Sequence, residues 1–385
     1  MTTTSTTQRS VDDIPVPPGL PVVGNMFTVP AERTVVTLME LVRKYGPMIR
    51  LKTPAGDRFV ASGLAMIDDL CDDERFDKLV GDGQKAVRSF GRSAGLFTSD
   101  TDDPNWSKAH NILLPNFSQQ AMRDYVPMMN DIATQLINKW ERLNPGEPVD
   151  VTADMTRLTL DTIALCGFGY RFNSFYRDTQ HPFVEAMYGV LGESSKRSRE
   201  LPLQTKLRRG ARRKLILNYR YMEGEVQKII DERRHGGDIE GHKDLLSCML
   251  TGVDKRTGER LSDDNIVAQC QTFLIAGHET TSGLLSFTLS FLIKHPEVVA
   301  RAQEEVDRVL GTDTSVLPTY QQVQGLTYVN QILSETLRLW PTVAAFTRYP
   351  YEDTTVGPYL MPMGSSISGL TIMLHRDPSV WGADA

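Results

Sequence analysis

Between Phe273 and Phe287 the chain reads FLIAGHETTSGLLSF, which sets His278, Glu279, Thr280 and Thr281 inside an otherwise apolar run. Polar groups in a buried helix cost free energy unless partners satisfy them. A hydroxyl beside a carboxylate in a dry cavity suits proton delivery, because each can hold or pass one hydrogen. A plainer reading competes: Gly277 and Gly283 let another helix pack closely, while the threonine hydroxyls bond back to carbonyls one turn earlier. A zinc peptidase is excluded, since its helical motif needs a second His at 282 and Ser282 stands there.

The element that must carry these residues is a long helix. Ser262 is a good N-cap, and Asp263 and Asp264 occupy the first turn, where the helix dipole favours negative charge. The periodic pattern runs to about Lys294, with Pro296 as a stop. About 30 residues give ~45 Å, long enough to cross a domain. Phe273, Ala276, Gly277 and Thr280 recur at i, i+3, i+4 and i+7 and so share a face. Side chains shrink there to a methyl and a hydrogen, leaving room for a large flat ligand.

Around this helix the sequence predicts others at Gln119–Leu143, Asp154–Leu165, Arg212–Arg234, Pro296–Leu310 and Val329–Leu339, each from amphipathic periodicity. The run TLMELVRKYG reads as a short helix ended by Gly46. Alternation on both sides of TPAGD predicts a hairpin, and YEDTTVGPYLMPMGSSI returns to strand and turn chemistry. The expected fold class is mainly α with a small β portion, in one large domain from residue 15 to 385 after a disordered tail over 1–14.

Composition narrows the classes. The 385 residues carry a formal charge of −6, with 40% hydrophobic and 23% charged residues, so no nucleic-acid footprint shows. Cys71, Cys166, Cys248 and Cys270 contain no CxxC pair, which speaks against a disulfide framework or a structural zinc site and for a reducing compartment. The N-terminus has no apolar core of a signal peptide, and no run is long enough to span a bilayer. A cytoplasmic location is expected. Thirteen Lys/Arg against five Asp/Glu fall between Ser194 and Arg234. That skew suits a solvated helix face or a docking surface for an acidic partner or anionic substrate.

The residues AGHETTSG resemble the central-helix motif of the cytochrome P450 family, (Ala/Gly)-Gly-x-(Asp/Glu)-Thr-Thr. SETLRLWP adds the family's Glu-x-x-Arg pair at Glu335 and Arg338, in the family's order. Helical geometry alone reads those two as an exposed ion pair opposite Val329, Ile332, Leu333, Thr336 and Leu337, whereas the resemblance implies a buried, hydrogen-bonded pair. GLFTSDTDDPNWSKAHNILLPNFSQQAM, LCGFGYRFNSFYR and LHRDPSVWG are similar to the haem domain of self-sufficient fatty-acid hydroxylases, in which a P450 is fused to a diflavin reductase.

The resemblance implies a haem b monooxygenase acting on O2 and a hydrophobic substrate, a fatty acid. Its electron donor would be an NADPH-dependent flavin reductase bearing FAD and FMN, in cis or trans. Thr280 and Glu279 would handle protons, with Ala276 and Gly277 against the porphyrin. Trp106 and His110 would line the propionate side. Phe97 would lie over the haem, Val343 would narrow the pocket, and Arg58 with Phe59 would stand near the substrate carboxylate. The family's Cys ligand loop has Phe seven residues and Gly four residues before the Cys, and none of the four cysteines fits. Cys166, for one, has Thr159 and Thr162 there. The axial ligand is therefore missing, which predicts a chain truncated at its C-terminus before that loop, with metal ligation to none of its own residues. Two other classes stay open: a peroxide-driven or isomerising haem enzyme without a reductase, against which Thr280 speaks, and a haem-free helical binding protein.

Overall fold

The computed structural model describes residues 9–197, 208–236, 239 and 241–383. It divides into two compact units, Met1–Asp82 with Arg338–Ala385, and Gly83–Leu337.

The first unit is built on a five-stranded sheet. Strands β1 (Met48–Thr53) and β2 (Gly56–Ala61) form the hairpin expected from the alternation around TPAGD, with Thr53 opposite Gly56. With β3 (Phe76–Lys78), β4 (Phe346–Pro350) and β7 (Ser366–Gly369) the order is β1-β2-β7-β4-β3, and only the β2–β7 pairing is parallel. A separate ribbon pairs β5 (Thr354–Val356) with β6 (Tyr359–Met361). Helices α1 (Thr34–Tyr45) and α2 (Leu64–Leu70) cover the sheet, and Met39, Val42, Ile49, Leu51 and Val60 make one of its two cores.

The expected N-terminal tail is in part ordered. Residues 1–8 lie outside the described residues, but the Arg9 amide donates to the Pro358 carbonyl and the Leu360 amide donates to the Arg9 carbonyl. Ile14 is 2% exposed in the core with Met48, Phe59 and Ile367. The polar composition of the first residues hid this, because a strand-like addition needs only backbone groups and one apolar anchor.

The second unit is helical. Its elements are α3 (Asp82–Arg88, whose first residue belongs to the other unit), α4 (Pro104–Leu113), α5 (Gln119–Glu141), α6 (Val151–Phe168), α7 (Pro182–Arg197), α8 (Arg209–His235) and α9 (Leu245–Thr251). They are followed by α10 (Asp263–Leu292), α11 (Pro296–Leu310), α12 (Tyr320–Gln324) and α13 (Thr327–Leu339), within which the unit boundary falls. Ser118, Asp150, Asp244 and Ser262 cap helices with side-chain oxygens, as their types favour. The core joins Leu160, Ala164 and Phe168 of α6 to Met187 and Val190 of α7, Met222 and Val226 of α8, and Cys270 and Leu274 of α10.

Buried ion pairs fasten this bundle. The Arg233 guanidinium donates to both Asp244 oxygens, at 2.9 and 2.6 Å, and to the Phe168 carbonyl at 2.7 Å, tying α8 to α9 and α6. Asp154, 2% exposed, accepts from Lys139, from Trp140 Nε1 at 2.8 Å and from Arg157 at 3.0 Å. The described residues of the basic segment divide into exposed and paired ones. Arg209, Arg212, Arg213, Lys214 and Arg220 of α8 are exposed, while Arg208, Lys228, Arg233 and Arg234 pair with Glu193, Glu225, Asp244 and Asp263. Its residues 198–207 lie outside the described ones.

Candidate functional site

Helix α10 is a 30-residue rod whose apolar sequence lets it run through the middle of the unit. Leu274 and His278 are wholly buried and Ser282 is 5% exposed, yet Ala276 and Glu279 are exposed and Thr280 is half-buried. Ala276, Glu279 and Thr280 are spaced i, i+3 and i+4, so the helix has one open face at its centre. A small methyl, a hydroxyl and a carboxylate line it. The Thr280 hydroxyl donates to the Ala276 carbonyl at 2.8 Å, the back-bond expected of a helical threonine.

Gly277 does not belong to that face. A Cβ built there would stand 2.7 Å from Ile163 Cγ1 of α6. Its missing side chain therefore serves helix–helix packing, which corrects the expectation that it lies against a cofactor. The next residues reinforce the contact, since the Thr159 hydroxyl of α6 lies 2.9 Å from the His278 carbonyl. His278 itself turns inward, with Nδ1 donating to the Leu274 carbonyl at 2.5 Å, and burial lowers its pKa and keeps it neutral. Crowding by protein atoms does the opposite to Glu279: lost hydration raises its carboxyl above the ordinary range although part of the side chain meets solvent.

Phe97 follows a loop clamped to α10. Asn265 and Gln269, both wholly buried, bond to Ser93, Ala94 and Leu96. Gly95 is pressed onto the helix so closely that a Cβ would meet Thr272 Oγ1 and the Ala268 carbonyl oxygen, the latter at 2.7 Å. Past that clamp Phe97 is 61% exposed. The sequence motifs do not include Asn265 and Gln269. Their signal is of the same kind as that of His278: uncharged polar residues at helical spacing among Ile266, Ala268 and Cys270, all buried.

Trp106 and His110 stack on each other on α4, with ring centroids 5.1 Å apart and planes 14° apart, Trp106 half-buried and His110 exposed. Glu335 is exposed, so on that side the buried environment implied by the resemblance is not found. Arg338, in the first unit, is half-buried and donates to the His375 carbonyl at 2.9 Å.

The other expected substrate residues also lie in the first unit. Val343 is 63% exposed. Arg58 is exposed and pairs with Asp82 at 2.5 Å. Phe59 is 4% exposed in the sheet core and presents no surface to a ligand, a correction that follows from strand alternation, which turns Arg58 out and Phe59 in.

The open strip of Ala276, Glu279 and Thr280 presents a methyl, a carboxylate and a hydroxyl, groups against which a flat macrocycle such as haem could lie. The cysteines do not supply its thiolate. Cys166, Cys248 and Cys270 are packed in the second unit's core, where desolvation raises all three thiols, Cys166 to about 12. Cys71 is at the end of α2 in the other unit. No cluster of three His, Cys, Asp or Glu that could hold a metal ion occurs among the described residues. No helix among them is long and apolar enough to cross a membrane.

Residues 14–384 match the family described as Cytochrome P450. A bifunctional cytochrome P450/NADPH–P450 reductase of Bacillus subtilis is 50% identical over 378 residues, 98% of this chain and 35% of the relative. Its counterpart in Bacillus cereus is 48% identical over 377 residues, 97% of this chain and 35% of the relative. A self-sufficient cytochrome P450 monooxygenase of Exserohilum turcicum is 40% identical over 382 residues, 99% of this chain and 35% of the relative. The chain thus spans about a third of the length of these relatives. With its central helix, its open hydroxyl-lined face and a match over nearly its whole length, the chain belongs to the cytochrome P450 family.

Proposed function

We propose that this chain forms the oxygen-side part of a haem-thiolate monooxygenase that inserts one atom of O2 into a C–H bond of a fatty acid. The observation that carries the reading is the open face at the centre of α10, where Ala276 and Glu279 are exposed while Leu274 and His278 of the same turns are wholly buried. When bound, haem supplies the reductive activation of dioxygen, which takes up two electrons and two protons and yields water beside the hydroxylated product. Ala276 and Thr280 would lie against its face, with Trp106 and His110 toward its edge.

The chain's own share is proton handling and orientation. The back-bond to the Ala276 carbonyl fixes the Thr280 hydroxyl on the open face with its oxygen lone pairs free to accept. Rotation about the Cβ–Oγ1 bond turns the same hydrogen toward a ligand on that face. Glu279, one residue earlier, is held above the ordinary carboxyl range by partial loss of hydration, so it retains a proton at a higher pH than a solvated glutamate and can pass it on through solvent. Neutral His278 stays out of this exchange, because its only hydrogen is committed to the Leu274 carbonyl. The exposed Phe97 ring limits how a substrate chain approaches. The electrons come from an NADPH-dependent flavin reductase carrying FAD and FMN, a partner supported by the relatives whose names join a P450 to such a reductase.

The test is turnover of a saturated fatty acid by the full-length protein under isotope-labelled dioxygen. One labelled oxygen in the hydroxylated product per NADPH consumed is the expected result. Unlabelled product, or no fatty-acid-induced change in the Soret band, overturns the reading. A second reading, a haem-free helical binding protein, is favoured by the four unsuitable cysteines. The carbon-monoxide difference spectrum of the reduced protein decides between them, a thiolate-type Soret band excluding the second.

A further inference from the structure

We infer that Asn265 and Gln269 are positioning residues for product selectivity: a pair of buried amides on α10 that holds the Ser93–Leu96 loop and, through it, the Phe97 ring. The inference rests on the reading of Phe97 as the residue that limits substrate approach.

The bonds form one chain. Gln269 Oε1 accepts from the Leu96 amide at 3.0 Å, and Gln269 Nε2 donates to Asn265 Oδ1 at 3.2 Å. Asn265 Nδ2 then donates to Ser93 Oγ and to the Ala94 carbonyl, each at 3.0 Å. Both amides are wholly buried, so each would cost free energy without these partners, and the loop is what satisfies them. Their spacing of four residues puts them on one helix face, and the loop advances along that face toward the open centre. Gly95 removes the slack: a Cβ there would lie 2.7 Å from the Ala268 carbonyl oxygen and 3.2 Å from Thr272 Cβ.

Such a clamp does little for the stability of Phe97 itself, whose ring is 61% exposed. What it fixes is the backbone that presents the ring. From the other side α3 contributes bonds from Gln84 Nε2 to the Phe97 carbonyl at 3.4 Å and from Arg88 to the Thr98 carbonyl at 3.2 Å and the Asp100 carboxylate at 2.7 Å. The bonds on the α10 side hold the residues just before the ring, and those on the α3 side hold the residues after it. Loosening those on the α10 side lets the ring sample a wider range, which scatters the carbon that meets the oxidant and leaves proton handling at Thr280 intact.

The experiment uses the full-length protein with Gln269→Met, which keeps the side-chain length and helix propensity but has no amide, beside Phe97→Ala. Two quantities are read: hydrogen exchange of the Leu96 amide, and the distribution of positional isomers of the hydroxylated fatty acid. Gln269→Met is expected to speed Leu96 exchange about tenfold and to broaden the isomer distribution, with the ratio of product to NADPH largely kept. Unchanged exchange, or faster exchange with the wild-type distribution while Phe97→Ala alters it, overturns the inference. If Phe97→Ala leaves the distribution unchanged, the reading of Phe97 fails instead. Should Gln269→Met not fold, Ser93→Ala removes a single bond at the loop edge and is read in the same way, no shift in either quantity being the refuting result.

Discussion

Gly277 and Ile163 meet at the limit of packing: a methyl on Gly277 would stand 2.7 Å from Ile163 Cγ1 and 3.0 Å from its Cδ1. This contact locks α6 beneath the turn of α10 that carries Ala276 and Thr280, and Thr159 adds its bond to the His278 carbonyl in the same place. Gly277→Ala sets two effects against each other. Alanine favours a helix interior over glycine by about 1 kcal/mol, while forcing a methyl into a filled contact costs about 1–3 kcal/mol. Ile163 Cβ, which no rotation of the side chain moves, also lies 3.3 Å from that methyl, so the second effect wins and the variant is destabilised. Ile163→Ala removes the clashing atoms. Denaturant unfolding should therefore show the Ile163→Ala/Gly277→Ala pair more stable than the sum of the single changes by about 1 kcal/mol or more. Strict additivity would mean that the two residues are not in the contact described.

Thr280 offers a cleaner functional test, because its side chain is only half-buried and its bond is local. Thr280→Val keeps the shape and loses the hydroxyl, so stability should change by less than about 1 kcal/mol. Coupling should fall several-fold, with peroxide released per NADPH rising in step, whereas Thr280→Ser should stay near wild type. Peroxide and product measured against NADPH consumption check this. An unchanged ratio in Thr280→Val would remove the hydroxyl from proton handling.

Much of the architecture was legible because it is written in local periods. Pro296–Leu310 is bounded by a proline at its first turn and a glycine just after it, and the sequence limits match the helix. The hairpin between Met48 and Ala61 follows from alternation and a two-residue turn. What stayed hidden are pairings between residues far apart in the chain. Nothing near Gly277 names Ile163 as its partner, so a packing glycine and a ligand-facing glycine look alike. Arg58 and Asp82 meet across 24 positions, so the cation expected for a substrate carboxylate already has an acidic partner. Phe59 was misplaced for a different reason, since the resemblance carried a position while the strand's alternation decided its face. The polar knot at 278–280 was found because it violates the pattern around it. Asn265 and Gln269 violate it too, but Asn265 lies in the first turn, where it passes as capping chemistry, and Gln269 is then a polar residue without its pair.

Glu279 gives a prediction in pH. Loss of hydration raises its carboxyl above the ordinary glutamate value in the folded chain. Above the raised value the native state carries a poorly hydrated charge that the unfolded chain carries in water, so the native state is penalised. As pH falls through the raised value and then below the ordinary one, both states become protonated and the penalty vanishes. Glu279→Gln keeps the shape and never ionises. Its melting temperature should therefore exceed that of the wild type near pH 7 to 8, and the difference should shrink toward zero near pH 4. Thermal unfolding of both proteins across that range is the measurement. A difference that does not vary with pH would show that the Glu279 carboxylate is as well hydrated in the fold as in the unfolded chain, and would leave it no raised proton affinity with which to serve Thr280.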